Sequence, residues 1–233
     1  MLKAVLLVAT CLLVCAATAR AAPSVGAELY GTNCSSCHGA KGQGSIDGPP
    51  LIGKSAADVH FMLDTGRMPA AIPNEQEMHK TPKFTGKQID EIVGFVMTFS
   101  PNADHRLPVV GPGNVDHGRL LFAANCAQCH GVTGSGASVG YANVAPPLAY
   151  ASKMQVAEAI RIGPGVMPRF GTDVLSTQDV SDIARYVNYL QTQTENPGGL
   201  ALANIGPVAE GFIGWFIGLG ALVLLVRRIG TTS

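Results

Sequence analysis

Residues 33–39 read NCSSCHG and residues 125–131 read NCAQCHG, so two cysteines and a histidine occur twice in one five-residue frame. The duplication extends beyond the frame. GAELYGTNCSSCHG at 26–39 aligns with GRLLFAANCAQCHG at 118–131, and GPPL at 48–51 with APPL at 145–148. Each copy then carries a helical pattern, capped by Ser55 or Ser152 and stopped at Gly66 or Gly163. Met68-Pro69 or Met167-Pro168 follows. Each copy closes on an amphipathic stretch, TGKQIDEIVGFVMTF at 85–99 and STQDVSDIARYVNYLQ at 176–191, with apolar residues at helical spacing. Such an internal repeat predicts two homologous helical units of about 80 residues each. The first copy is about eight residues longer around NEQEMHKTP, which reads as a surface loop at 74–82.

The ends of the chain differ from its middle. Residues 1–22 hold one Lys, an apolar run from Ala4 to Ala17 and an Ala-x-Ala pattern at Ala19-Arg20-Ala21, the layout of an export signal or an uncleaved N-terminal anchor. A lipid anchor through Cys15 is disfavoured by the bulk of Val14. Near the other end, Phe212 to Val226 carries no charge, and the stretch 207–226 has about the length a bilayer requires. Phe212 and Trp215 suit the outer interface, and Arg227 and Arg228 the cytoplasmic side. Lys plus Arg (16) equals Asp plus Glu (16), and no basic run is interleaved with aromatics, so nucleic acid is excluded as a partner.

Of the six cysteines, Cys11 and Cys15 fall in the leader, and Cys34, Cys37, Cys126 and Cys129 fall in the two frames. On a helix, positions i, i+3 and i+4 share a face, so two thiols and an imidazole point the same way. C-x-x-C-H at that spacing reads as covalent attachment of a c-type haem, the thiols bonding the porphyrin edge and His38 or His130 the iron. A zinc site would need a fourth ligand, and a redox dithiol would not need the histidine. The sixth iron position falls to Met68 and Met167, because a residue before Pro is pushed out of helical geometry onto an extended loop. Met78, His60 and His79 compete for it in the first copy. Met62 and Met154 lie inside helical patterns and read as core filler, as does Met97. Arg67 and Arg169 flank the two methionines, either to pair with a haem propionate or to stand solvated at the surface. His105 and His117 read as surface histidines.

Each copy resembles a class I cytochrome c domain. In that family a Gly and an aromatic residue precede the frame and pack on the last helix, which implies these roles for Gly26 with Tyr30 and for Gly118 with Phe122. A Pro after the frame offers its carbonyl to the axial histidine, which implies Pro49 and Pro146. The expected fold is all-α. It comprises a signal or anchor at 1–22, domain 1 at 23–100, a linker at 101–115, domain 2 at 116–194, a linker at 195–206, a transmembrane helix at 207–226 and a tail at 227–233.

This arrangement, with TGRMPA at 65–70 and GPVAEG before the span, is similar to the dihaem cytochrome cc subunit of the actinobacterial menaquinol:cytochrome c reductase, or cytochrome bcc complex. The resemblance implies two covalent haems c on the extracytoplasmic face of the cell membrane. It also implies a place between a Rieske iron-sulfur protein and the copper site of an aa3-type oxidase, beside cytochrome b. The chain would carry electrons without being catalytic by itself. The rivals are a freestanding membrane-anchored shuttle, the haem subunit of a dehydrogenase with a flavin or quinone partner, and a dihaem enzyme of the peroxidase type. The last needs one open iron, against which the paired Met-Pro motifs argue.

Overall fold

The computed structural model describes residues 23–72, 78–140, 143–192 and 207–230. The leader at 1–22, the whole linker at 195–206, residues 231–233 of the tail and part of the predicted loop at 74–82 lie outside them. The chain forms two compact units that divide between Asn188 and Tyr189.

The first unit contains both copies of the repeat. In the first copy, α1 (Val25–Asn33) starts on Ser24, whose side chain accepts from Ala27 N, and leads into the single turn α2 (Ser35–His38). α3 (Ala56–Asp64) and α4 (Gly86–Met97) each open on a capping box, Ser55 with Asp58 and Thr85 with Gln88. Side chain and backbone there satisfy each other's free groups in the first turn. The second copy repeats the pattern with α5 (Val115–Asn125), the single turn α6 (Ala127–His130), α7 (Lys153–Ile162) and α8 (Thr177–Thr192). Ser152 and Gln155 box the start of α7, and Gly163 ends it at φ 64°, a left-handed geometry that strains any residue with a Cβ.

One expectation is corrected. The fold is not all-α, because β1 (Ala137–Gly140) and β2 (Asn143–Ala145) pair as an antiparallel hairpin. The second copy has five more residues than the first between the axial histidine and its proline, and the hairpin takes up that length, pairing backbone groups that a loose loop would leave to water.

The core of each half sits where its first helix crosses its last. α1 packs on α4 so closely that a Cβ on Gly26 would lie 2.0 Å from Glu91 O. One on Gly118 would lie 2.0 Å from Asp182 O of α8. One turn on, Tyr30 meets Phe95 at 5.4 Å between ring centroids, and Phe122 meets Tyr186 at the same distance. Around these crossings Ile89, Ile92 and Val96 are buried in the first half, and Ile160, Val180, Ile183 and Val187 in the second.

The segment between the halves is tied down at both ends. Ala56 N donates to Asp104 O and Gly53 N to Ser100 Oγ, while Gly111 N donates to Ser181 Oγ and Asn114 N to Asp182 Oδ1. His105 Nε2 lies 3.0 Å from Ser100 O, and His117 Nδ1 lies 2.8 Å from the buried carboxylate of Asp182. Both histidines thus fasten the linker region, which their reading as plain surface residues does not include.

The second unit holds α9 (Pro207–Gly230), a helix ending on Arg227 and Arg228. Within it Gly211–Gly230 is a 20-residue candidate membrane span of mean hydropathy 1.9, none of it buried against protein.

Candidate haem-binding sites

The two frames have one geometry. Cys34 N donates to Tyr30 O at the end of α1, after which Cys37 N and His38 N both turn back to Cys34 O, at 3.2 and 2.9 Å. Cys126, Cys129 and His130 repeat those bonds at 2.8, 3.1 and 2.9 Å. Each turn closes on a glycine of positive φ, Gly39 at 79° and Gly131 at 73°. In the first half the Tyr30 hydroxyl also donates to Gly39 O at 2.6 Å. The chain then folds back under the histidine, Gly44 N donating to His38 O and Gly136 N to His130 O. This return brings GPPL and APPL beneath the two rings.

There the imidazoles find their partners. His38 Nδ1 lies 2.7 Å from Pro49 O, and His130 Nδ1 lies 3.0 Å from Pro146 O. A carbonyl only accepts, so each Nδ1 carries the proton and each Nε2 is left with a lone pair for a metal. His38 is buried and His130 partly so. The four frame cysteines are unbridged, and burial pushes the thiols of Cys34 and Cys126 up to about 11. Two unbridged thiols and an imidazole on one turn, with the imidazole Nε2 left open, are the donor set that a covalently attached haem c would use.

In the first half, Cys34, Leu51 and Met68 pack against one apolar cluster with Tyr30, Leu63 and Ile92, so the frame and Met68 border the same interior. Met68 N donates to Met62 O, and the Met68-Pro69 peptide is cis. Met97 is buried in that core. Arg67 stands 4.9 Å from the Phe61 ring centre with a buried Nη1 that has no hydrogen-bond partner among the described residues. A buried guanidinium nitrogen without an acceptor is what a haem carboxylate would satisfy. Arg169 is exposed and shows no such vacancy in its bonding. In the second half Met167 N donates to Pro164 O, and the loop returns to α7 through Phe170 N to Ile160 O. His60 turns away to Glu158.

Fold and sites together define a pair of cytochrome c-type domains joined in tandem. A family model described as "Cytochrome C oxidase, cbb3-type, subunit III" matches twice, over residues 21–96 and 113–187. The "Cytochrome bc1 complex cytochrome c subunit" of Mycobacterium tuberculosis is 40% identical over 217 residues, covering 89% of this chain and 77% of the relative. The Corynebacterium efficiens protein of the same description is 34% identical over 226 residues, with 89% and 76% covered. The "Cbb3-type cytochrome c oxidase subunit CcoP" of an Azospirillum species is 30% identical over 191 residues, with 71% and 61% covered. The chain belongs to the family of cytochrome bc1 complex cytochrome c subunits, and membership of a cytochrome c family implies covalently bound haem c.

Proposed function

We propose that the chain is the membrane-anchored dihaem wire of a quinol-oxidising bc1-type complex, passing electrons from a Rieske iron-sulfur protein to the copper site of an aa3-type oxidase. The observation that carries this reading is the histidine-to-proline bond made in both halves, which fixes the tautomer and leaves each Nε2 free to ligate an iron. Haem c, when bound, supplies reversible one-electron chemistry at iron. The residues of the chain do the rest. Cys34 and Cys37, or Cys126 and Cys129, hold the porphyrin edge. His38 and His130 orient on Pro49 and Pro146, and a carbonyl partner raises their basicity as ligands. Met68 and Met167 would hold the iron as its further ligands, and thioether ligation would close it to substrate and raise its potential. Arg67 balances a propionate. α9 holds both domains, at about 23–100 and 116–194, to the extracytoplasmic face, with Arg227 and Arg228 on the cytoplasmic side.

The names of the relatives support a place in a bc1-type complex; cytochrome b and the Rieske protein are the neighbours proposed for it there. The test is mild detergent extraction followed by pyridine haemochrome and intact-mass analysis. Two covalent haems per chain, with cytochrome b and oxidase subunits co-purifying, are expected. Two haems without partners would make the chain a freestanding shuttle, and fewer than two would end the reading. Met68→Ala is expected to remove the methionine-to-ferric-iron absorption of one haem only, and Met62→Ala to leave both. An unchanged spectrum in the Met68 variant would reassign the sixth ligand.

A further inference from the structure

The halves meet through their equivalent helices, α3 of the first packing on α7 of the second. Two polar pairs bridge this contact. Gln155 Nε2 donates to Asp64 Oδ2 at 2.8 Å and to Asp64 O at 3.1 Å, while its Oε1 completes the cap of α7 by accepting from Ser152 N. One turn further along α7, His60 Nδ1 lies 2.6 Å from Glu158 Oε1. Glu158 has no solvent exposure, and among the described residues its carboxylate makes no aligned hydrogen bond, so the approach of His60 Nδ1 is a close ionic contact rather than a regular hydrogen bond. A buried carboxylate with one partner is stable only while a proton stays in the pair, on the imidazole or on the carboxyl.

We propose that His60 and Glu158 are a proton-dependent clamp that fixes the two haem domains against each other through α3 and α7, with Gln155 and Asp64 as its second, proton-independent contact. The pair takes no part in holding iron. It is a positioning device, and its consequence for electron passage between the halves rests on the function proposed above. The charged groups facing it are Asp64 on α3 and Asp90 on α4, both acidic and both favouring a protonated His60. Arg161 on α7 is engaged elsewhere, by Phe170 O and Leu175 O.

The sign of the pH dependence follows from both partners. The Glu158 carboxylate beside it raises the proton affinity of His60 despite its burial, and burial raises that of Glu158 despite the neighbouring imidazole. Groups raised above their unfolded values stabilise the contact at low pH and lose that contribution as pH rises through the folded values. The clamp therefore holds while the pair keeps its proton and weakens as pH rises through the raised values, where loss of that proton leaves a buried, unpaired carboxylate.

The experiment uses the full haem-bearing chain in detergent with Cys11 and Cys15 replaced by Ser. One nitroxide is placed at Lys87→Cys and another at Thr172→Cys, both exposed positions, and the distance distribution between them is read by pulsed dipolar EPR across pH. The parent chain is expected to give a single narrow distance at neutral pH that broadens on the alkaline side. Glu158→Gln, which keeps shape and a hydrogen bond but removes the buried charge, is expected to stay narrow throughout. His60→Ala is expected to be broad at neutral pH and to narrow on acidification, as Glu158 takes a proton itself. A distribution that is invariant to pH in the parent chain, or Glu158→Gln broadening with pH like the parent, would overturn the clamp. Haem content measured on the same samples tests the functional reading separately, since two haems with an invariant distance sink only the clamp.

Discussion

At Gly26 and Gly118 the only atom that separates tolerance from failure is a Cβ. Because a methyl at either site would lie 2.0 Å from a backbone carbonyl, relief requires the two helices to part. Gly26→Ala is expected to destabilise the first half by about 1–3 kcal/mol, the usual cost of overpacking. Gly31→Ala lies in the same helix with open space around it, and should be neutral or stabilising by about 0.5–1 kcal/mol. Thermal unfolding of the two haem-loaded variants checks the contrast. Asp182 makes a second case. Burial raises its proton affinity, but bonds from His117, Asn114 N and Gln178 outweigh that and leave it below the usual carboxylate range. A lowered group contributes stability above its unfolded pKa and loses it as pH falls through the folded value. Asp182→Asn is thus expected to cost about 1.5–3 kcal/mol at pH 7 by urea denaturation, with the difference shrinking in acid below about pH 4. The small residues and the aromatics were legible in the sequence because the repeat printed them twice. His117 and Asp182 were not, because they meet across 65 residues and occur in one copy only.

Element boundaries came largely from local chemistry, which is why they could be read in advance. Ser55, Thr85 and Ser152 each stand three residues before a side chain that answers them, and the structure closes a capping box at all three. Ser152→Ala is expected to cost about 1 kcal/mol by removing an acceptor from the first turn of α7, measurable as a lower urea midpoint with an unchanged slope. The hairpin at 137–145 escaped notice for the converse reason. Its strands of four and three residues, rich in Gly and Ala, are too short to display an alternating pattern. The contact of α3 with α7 escaped differently. With Ser55 set on Ser152, His60 aligns with Ala157, and Phe61 with Glu158, so each member of the buried pair replaces a small or apolar residue of the other copy. A polar residue that breaks an otherwise apolar repeat position was the available signal, and it marks where the copies stopped being interchangeable. The duplication makes the halves alike, whereas their joint depends on where they differ.

For the whole molecule, the decisive contrast lies between a first unit that buries its apolar side chains and a second that exposes them. In α9, Trp215, Phe216, Ile217, Leu222 and Leu224 are all more than half exposed, and no charged residue interrupts the helix from Gly211 to Val226. An amphipathic surface helix would show one polar face, and a soluble core helix would be covered by protein. A helix apolar on every side, 20 residues long and uncovered among the described residues, has the length and composition of a membrane span. The proposed function thus assigns anchoring and haem binding to separate parts of the chain. Ending the chain after residue 206 is expected to move the covalent haem stain from the membrane pellet to the soluble fraction, with the haem count and the unfolding midpoint of the first unit unchanged. Fractionation followed by haem staining and calorimetry reads all three. Haem that stayed with the membrane would assign attachment to another segment, of which the apolar run at 4–17 is the first to delete.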